Sequence, residues 1–284
     1  MSDTLEHDLD QGWNRLLEIL RELGSVVVGF SAGVDSTFLL YAAIQALGCD
    51  KVLAATARSA TYPERQFNEA VEYAASLGAR HLAFDSEELD IPGFRENPTD
   101  RCFICKTELF GRLRKIAGQE GFEAVVDGSN VDDLKDYRPG MQALKKLGIR
   151  SPLMEAGLGK QDIRLLSKRA GLPTWDKPAF ACLSSRFPYG VEISEDDLAR
   201  VDAGERFLEE LGVKGSIRVR HHKTVVRLEL DPRNFRMIVD PEVYPRIVEK
   251  FKGLGYEYVT LDLQGYRTGS MNEVLFNKES AGLK

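Results

Sequence analysis

Ser25-Val-Val-Val-Gly-Phe30 runs directly into Ser31-Ala-Gly-Val-Asp-Ser36. The first segment is short, apolar and rich in β-branched residues, which reads as a buried strand. The second breaks it with small residues and opens a helix expected over Thr37–Leu47. Ser31, Ala32 and Gly33 are small enough for the backbone to come close to a ligand. The new helix turns its unpaired N–H groups and positive dipole end toward that ligand. Ser31 and Ser36 add hydroxyl donors. Ser31, Gly33, Val34, Asp35 and Ser36 are therefore candidate phosphate-binding residues. No Gly-Lys-Ser/Thr follows at the Walker A spacing, so the loop is of another kind. If position 32 takes a positive φ, Ala is less comfortable there than Gly.

The chain has 284 residues, enough to bury a sizeable core in one or two domains. Apolar residues make up 43% and charged residues 29%, an ordinary globular balance. The net charge of −6 argues against broad nucleic-acid binding. No apolar run approaches the roughly 18–20 residues of a membrane span. The N-terminal Met-Ser-Asp-Thr-Leu-Glu-His-Asp has no apolar signal-peptide core, so a cytoplasmic location is expected. Four cysteines are too few for a disulfide framework in a chain of this size. In a reducing compartment they read better as metal-binding or catalytic.

Residues 10–23 have helical periodicity and end at Gly24. Lys51–Ala57 and Arg80–Asp85 read as strands, with an amphipathic helix over Pro63–Leu77 between them. A helix around Lys106–Ala117 precedes a further strand, Glu123–Asp127. This alternation predicts an α/β fold, a parallel sheet with helices on both faces. Ligands in such folds sit at the C-terminal ends of the strands, which would bring Thr56, Asp85, Gly128 and Asn130 near the phosphate loop. After about residue 190 the pattern changes. Ser194 caps a helix reaching Leu211. Strands Ser216–Arg220 and Thr224–Leu230, a helix across Pro241–Phe251 and a strand at Tyr256–Leu263 follow, as a small α+β unit.

Cys102 and Cys105 form a C-x-x-C pair at the end of a loop entering a helix, and Cys182 stands in Ala179-Phe-Ala-Cys-Leu-Ser-Ser-Arg-Phe-Pro-Tyr-Gly190. By itself the pair is open among zinc, a dithiol and iron–sulfur. Zinc lacks an evident fourth ligand, since only His7, His81, His221 and His222 are available. Three thiolates leave one iron of a four-iron cluster without a protein ligand, and an open iron can take a sulfide. Arg218 and Arg220 alternate along one strand face, and their forks suit phosphate and carboxylate. Ser185 and Arg186 stand beside Cys182 and are candidate substrate-binding residues. Asp35 would repel a bare phosphate and makes sense near Mg²⁺ on a pyrophosphate. Cys49 reads as a small residue at a helix-to-strand turn, and His221 and His222 as surface residues.

The loop Ser31–Ser36 resembles the SGGxDS loop of the ATP pyrophosphatases, with Ala32 in place of the second residue, Gly. Asp127-Gly-Ser-Asn-Val-Asp-Asp133, Asp136-Tyr-Arg-Pro-Gly140, Ser151-Pro-Leu-Met-Glu-Ala-Gly-Leu-Gly-Lys160 and Lys177–Gly190 together resemble the LarE family, from about residue 12 to residue 275. The most diagnostic piece is Ala-Cys-Leu-Ser-Ser-Arg. The resemblance implies an ATP pyrophosphatase domain over residues 1–187 and a small C-terminal substrate or oligomerisation domain over 188–284. It also implies ATP-dependent adenylation of a carboxylate of pyridinium-3,5-biscarboxylic acid mononucleotide. Sulfur then replaces the activated oxygen and gives a thiocarboxylate, a step of nickel-pincer cofactor biosynthesis. Arg218 and Arg220 match the family's substrate-phosphate arginines.

Two sulfur sources occur in this family. In one, a single Cys matching Cys182 gives up its own sulfur and becomes dehydroalanine. In the other, three Cys matching Cys102, Cys105 and Cys182 hold an iron–sulfur cluster that carries the sulfide. The cluster type is favoured here, because the sacrificial type gives the C-x-x-C no purpose. Cys182 and Asp35 are the expected catalytic residues, with ATP, Mg²⁺ and a 4Fe-4S-type cluster as cofactors. The expected partners are the mononucleotide and further copies of the chain, with no nucleic acid and no membrane. Three rivals remain: a tRNA-thiolating enzyme, disfavoured by the negative charge; a nitrogen-transfer synthetase, which lacks an ammonia-supplying domain; and a non-catalytic adenine-nucleotide module, which leaves the cysteines without a role.

Overall fold

The structure, a computed structural model, describes residues 3–135, 139–178, 180–267 and 269–272. The quoted residues Asp136, Tyr137, Arg138 and Ala179, and the end of the family similarity beyond 272, lie outside them. The chain divides into two compact units, residues 1–91 with 100–180 and residues 92–99 with 181–284.

The first unit contains α1 (Asp3–Glu22), β1 (Val26–Gly29), α2 (Val34–Leu47), β2 (Val52–Arg58), α3 (Glu64–Ser76), β3 (Arg80–Asp85), α4 (Arg101–Glu120), β4 (Ala124–Val126), α5 (Pro139–Lys146), α6 (Pro152–Glu155) and α7 (Lys160–Arg169). Its sheet has the order β3-β2-β1-β4, and every pairing is parallel. Val26 of β1 pairs with Val52 on one side and Ala124 on the other. Because β1 is flanked by β2 and β4, the strand order reverses at its end, and such a switch point opens a crevice at the carboxyl edge.

Alternation along β1 explains the layers. Val26 and Val28 pack with Leu16 and Leu20 of α1, Phe38 of α2 and Ile163 of α7. Val27 points to the other face, toward Leu53, Val125 and the α4 residues Phe110 and Leu113. Helices thus cover both faces, as the strand–helix alternation predicts. The sequence reading starts α1 and α4 too late and omits α5 to α7. With α4 beginning at Arg101, Cys102 and Cys105 lie inside the helix rather than in the loop before it.

The second unit holds α8 (Glu195–Glu210), β5 (Ile217–His222), β6 (Val225–Leu230), α9 (Phe235–Ile238), α10 (Tyr244–Gly253) and β7 (Tyr258–Leu261). β5 and β6 form an antiparallel hairpin, and β7 joins β6 in parallel. Ser194 caps α8 by accepting from the Asp197 N–H at 3.1 Å. The unit also includes residues 92–99, whereas the sequence reading put these, and 181–187, in the first domain. Asn97 makes the tie. Its Nδ2 donates to the Pro188 carbonyl at 2.8 Å, and its own carbonyl accepts from Gly190 N at 2.9 Å.

His221 is not a surface residue. It is 4% exposed, its ring lies 5.1 Å from Phe187, and its Nδ1 meets the Tyr256 hydroxyl at 3.1 Å. Period two along β5 puts it on the core face with Ile217 and Val219. Half-buried His222 shares the opposite face with Arg218 and Arg220. Burial pushes the pKa of both histidines down.

Packing in this unit depends on the absence of a side chain at Gly204 of α8. A Cβ there would stand 2.6 Å from Cε1 of the fully buried Phe251 and 3.4 Å from Val219. Alanine gains about 1 kcal/mol of helix propensity over glycine. Overpacking a buried ring costs about 1–3 kcal/mol. The steric term wins, so Gly204→Ala is expected to lower the urea midpoint.

Candidate active site

After β1 the chain leaves the sheet and folds the loop on itself. The Ser31 N–H donates to Ser36 Oγ at 3.3 Å, the two serine hydroxyls are 3.2 Å apart, and Ser36 Oγ donates to the Gly33 carbonyl at 3.3 Å. Ala32 is buried with φ of +50°, so the strained conformation anticipated for this position is present. Gly33 precedes α2 and supplies no side-chain cap. The first N–H groups of α2, which have no carbonyl partner inside a helix, therefore face whatever occupies the crevice.

Thr56 lies at the adjoining end of β2, with its hydroxyl already engaged. Its Oγ1 donates to the Phe30 carbonyl at 2.8 Å and meets His81 Nε2 at 2.9 Å. His81 is then the donor to Thr56, and burial pushes its pKa down. Asp85 ends the edge strand β3, two strand spacings or roughly 10 Å from β1, so it does not join the loop.

Gly128, following β4, packs on the first turn of α2. A Cβ there would lie 3.1 Å from Ser36 N and 3.4 Å from Asp35 Cβ. Asn130 organises the next turn. Its Oδ1 accepts from Asp132 N at 3.0 Å, and its own N–H donates to Asp133 Oδ2 at 3.0 Å. Asp132 Oδ2 in turn accepts from the Lys160 N–H at 2.8 Å. Lys160 thereby delivers its ammonium to Asp35 Oδ2 at 2.5 Å. The other oxygen, Asp35 Oδ1, is buried and has no hydrogen-bond partner among the described residues.

In the second unit, exposed Cys182 precedes a single turn, Leu183–Arg186. Arg186 has no exposed surface. Its fork grips Glu205 at 2.8 and 2.9 Å, and Nη1 donates to the Ala181 and Cys182 carbonyls at 2.6 and 3.1 Å and to Ser185 Oγ at 2.9 Å. Burial opposes both charges, but their mutual attraction still holds Glu205 below its ordinary range and Arg186 above its own. Glu205 also accepts from Val219 N at 3.0 Å, tying the cysteine turn to β5.

Arg218 and Arg220 are buried, at 6% and 4% exposure. Arg220 pairs with Glu229 at 2.6 Å and donates to the Ser185 carbonyl at 2.6 Å. Arg218 lies 4.9 Å over the Tyr266 ring. Burial, followed by the nearby charge of Arg186, pushes its pKa down to about 10. A cation so placed is stabilised by an incoming anion.

Cys102 and Cys105 are three residues apart on one face of α4. Cys102 is exposed, and Cys105 Sγ donates to Oε1 of buried Glu88 at 3.3 Å. Cys49 lies in the turn between α2 and β2. Within either unit, among the described residues, no group of three or more His, Cys, Asp or Glu is gathered as for a metal ion.

Four further residues gather at the loop: Tyr62 on the Ser31 carbonyl, Lys177 on the Ala32 carbonyl, Glu69 on Lys177, and Lys160 on Asp35. Lys160 and Lys177 belong to the quoted family segments, which was their one sequence signal.

Ala32 supplies a direct test of the loop. Relieving the left-handed conformation with glycine gains about 1–2 kcal/mol. Removing a buried methyl loses about 0.8 kcal/mol, and the added freedom of the unfolded chain about 0.5–1 kcal/mol. Ala32→Gly is therefore expected to shift stability by less than about 1 kcal/mol. Ala32→Val, branched and overpacked at positive φ, is expected to lose about 2 kcal/mol or more in the same urea titration.

Comparison with known proteins fits this geometry. A family profile described as NAD synthase matches residues 16–120, which hold the loop and the C-x-x-C pair. An uncharacterized protein of Synechocystis sp. is 40% identical over 267 residues, covering 94% of this chain and 99% of its own. The pyridinium-3,5-bisthiocarboxylic acid mononucleotide synthase of Lactiplantibacillus plantarum is 38% identical over 267 residues, covering 94% of this chain and 95% of its own. An uncharacterized protein of Methanocaldococcus jannaschii is 30% identical over 243 residues, 86% of this chain and 91% of its own. With a likeness that runs along almost the whole of both chains and a parallel sheet that ends in the expected loop, this chain belongs to the LarE family of the PP-loop superfamily.

Proposed function

We propose that this chain is an ATP-dependent sulfur transferase that acts on pyridinium-3,5-biscarboxylic acid mononucleotide in nickel-pincer cofactor biosynthesis. The observation that carries the reading is the 38% identity, along 94% of the chain, to a synthase named for the bisthiocarboxylic product. A substrate carboxylate oxygen attacks the α-phosphorus of ATP, and pyrophosphate leaves. A sulfur nucleophile then attacks the activated carbonyl carbon, and AMP leaves with the oxygen.

The open start of α2, with the hydroxyls of Ser31 and Ser36, would bind the phosphates. Gly128 lets the β4 turn approach that helix end, and Asn130 shapes the turn whose Asp132 holds the Lys160 N–H. The orphaned Asp35 Oδ1 fits a hard cation, so Asp35 would hold Mg²⁺. The metal neutralises pyrophosphate charge when bound. Arg218 and Arg220 would take the anionic groups of the mononucleotide. Arg186 is committed to Glu205 and the cysteine turn, so its role is to hold Cys182 and Ser185 in place. The thiols of Cys102 and Cys105 on one helix face, with Cys182, are the soft donors an iron–sulfur cluster takes. Such a cluster supplies the sulfur nucleophile when bound. No described helix is long and apolar enough to cross a membrane. A cytoplasmic, self-associating enzyme acting on a small molecule completes the proposal.

The assay combines the mononucleotide, ATP and Mg²⁺. AMP and pyrophosphate are expected, while ADP and phosphate would remove the adenylation reading. Asp35→Asn is expected to slow turnover on the order of a hundredfold or more. Its fold should persist, because the Asp35 carboxylate lies outside the apolar core.

The sulfur source has its own test. With a cluster, Cys102→Ala and Cys105→Ala lose iron and activity together under anaerobic conditions, and the mass of the parent polypeptide is unchanged by reaction. A parent that loses the mass of one H₂S per chain, beside a fully active Cys102→Ala, would instead identify Cys182 as a sacrificial donor.

A further inference from the structure

Two carbonyl groups of the phosphate loop are held from outside it. The Tyr62 hydroxyl donates to the Ser31 carbonyl at 2.8 Å. Lys177 Nζ donates to the Ala32 carbonyl at 3.1 Å. Both residues lie in the first unit, Tyr62 just before α3 and Lys177 after α7. In a trans peptide the carbonyl and the following N–H point in opposite directions. Fixing the Ser31 and Ala32 oxygens therefore fixes where the N–H groups of Ala32 and Gly33 point. Among the described residues neither N–H makes a hydrogen bond. They are free donors beside the start of α2.

Lys177 is placed as a strut and not as a phosphate ligand. Its ammonium also pairs with Glu69 and lies 5.5 Å from the Tyr73 ring, and its side chain is 16% exposed. Its charge is thus countered within the protein. The Lys177 backbone is fixed in turn, because Arg164 donates to the carbonyls of Lys177 and Trp175 at 2.8 and 2.7 Å. Tyr62 is half-buried, and burial, followed by the charge of Glu69, pushes its pKa up, so its hydroxyl keeps the proton it donates. Ala32, between the two held carbonyls, is the residue with φ of +50°. A strained residue persists when its surroundings over-determine it, and these two bonds supply that constraint.

We propose that Tyr62 and Lys177 are positioning residues that aim the Ala32 and Gly33 N–H groups at the phosphates of ATP. The proposal rests on the reading of this loop as an ATP site. Neither residue touches the reacting atoms. Their effect is to set the donors before the ligand arrives, so that binding need not order them.

The test uses the full chain, the uncleaved analogue α,β-methylene-ATP, and steady-state kinetics. Tyr62→Phe removes one hydroxyl without changing shape or charge. Lys177→Met keeps the stem and removes the donor. Each is expected to weaken analogue binding and raise the KM for ATP about tenfold, the effect of one lost hydrogen bond on a preorganised site. The KM for the mononucleotide and the melting temperature of Tyr62→Phe should stay near the parent values. A general structural loss would move both. If Tyr62→Phe binds the analogue as the parent does while Lys177→Met does not, Lys177 acts through its charge and the positioning role is overturned. A parent that fails to bind the analogue would remove the ATP site itself, a result distinct from failure of the two variants.

Discussion

A helix start cannot satisfy its own amide groups, and the first unit is arranged around that fact. The parallel sheet puts β1 between β2 and β4, so the chain leaving β1 faces an open crevice. Gly33 leaves α2 without a side-chain cap, and Gly128 lets the β4 turn come within contact of Ser36 N. Each choice would weaken an ordinary structural corner. Together they leave a row of N–H donors uncapped, where an anion is stabilised by both hydrogen bonds and the helix dipole.

The second unit depends on a different force. Arg186 and Glu205 form an ion pair with almost no exposed surface. Such a pair is a weak source of stability, because desolvation offsets much of the attraction. Its geometry is more informative. The same guanidinium holds the Ala181 and Cys182 carbonyls, and the same carboxylate holds Val219 N. Removing either partner would leave a buried charge and release the cysteine turn from β5. Arg218 is held charged in a buried place, beside Arg186, which favours an anionic ligand there.

The sheet, both helical layers and the phosphate loop were legible because their signals are local. β1 announces itself by an apolar run, α2 by the small residues before it, and α8 by Ser194 with three acids behind it. The helices α5 to α7 gave weaker signals: α5 carries Pro139 and Gly140 at its start, α6 is a single turn, and α7 is confined between Gly159 and Gly171. Lys160 was equally hidden, standing 125 residues from its partner Asp35. His221 stands one residue past the strand Ser216–Arg220 expected from the sequence; β5 runs on to His222, and only then does period two put His221 on the core face. Arg186 neighbours Cys182 in the sequence, while Glu205, the partner of its fork, lies on α8. Contacts between distant segments follow from the fold and cannot be read from spacing.

The eight residues Pro92–Thr99 belong with a unit whose remaining chain begins only at Ala181. Asn97 has no exposed surface and a φ of +53°, and it closes hydrogen bonds on Phe187, Pro188 and Gly190. During synthesis this segment leaves the ribosome long before its partners exist. Its polar groups must wait in water until the later chain arrives. The second unit is therefore not a module that can be cut out at one point. A fragment starting at Ala181 would leave the carbonyls of Phe187 and Pro188 without the amide that caps them. Any transplant of this unit must bring the strand of chain that was made first.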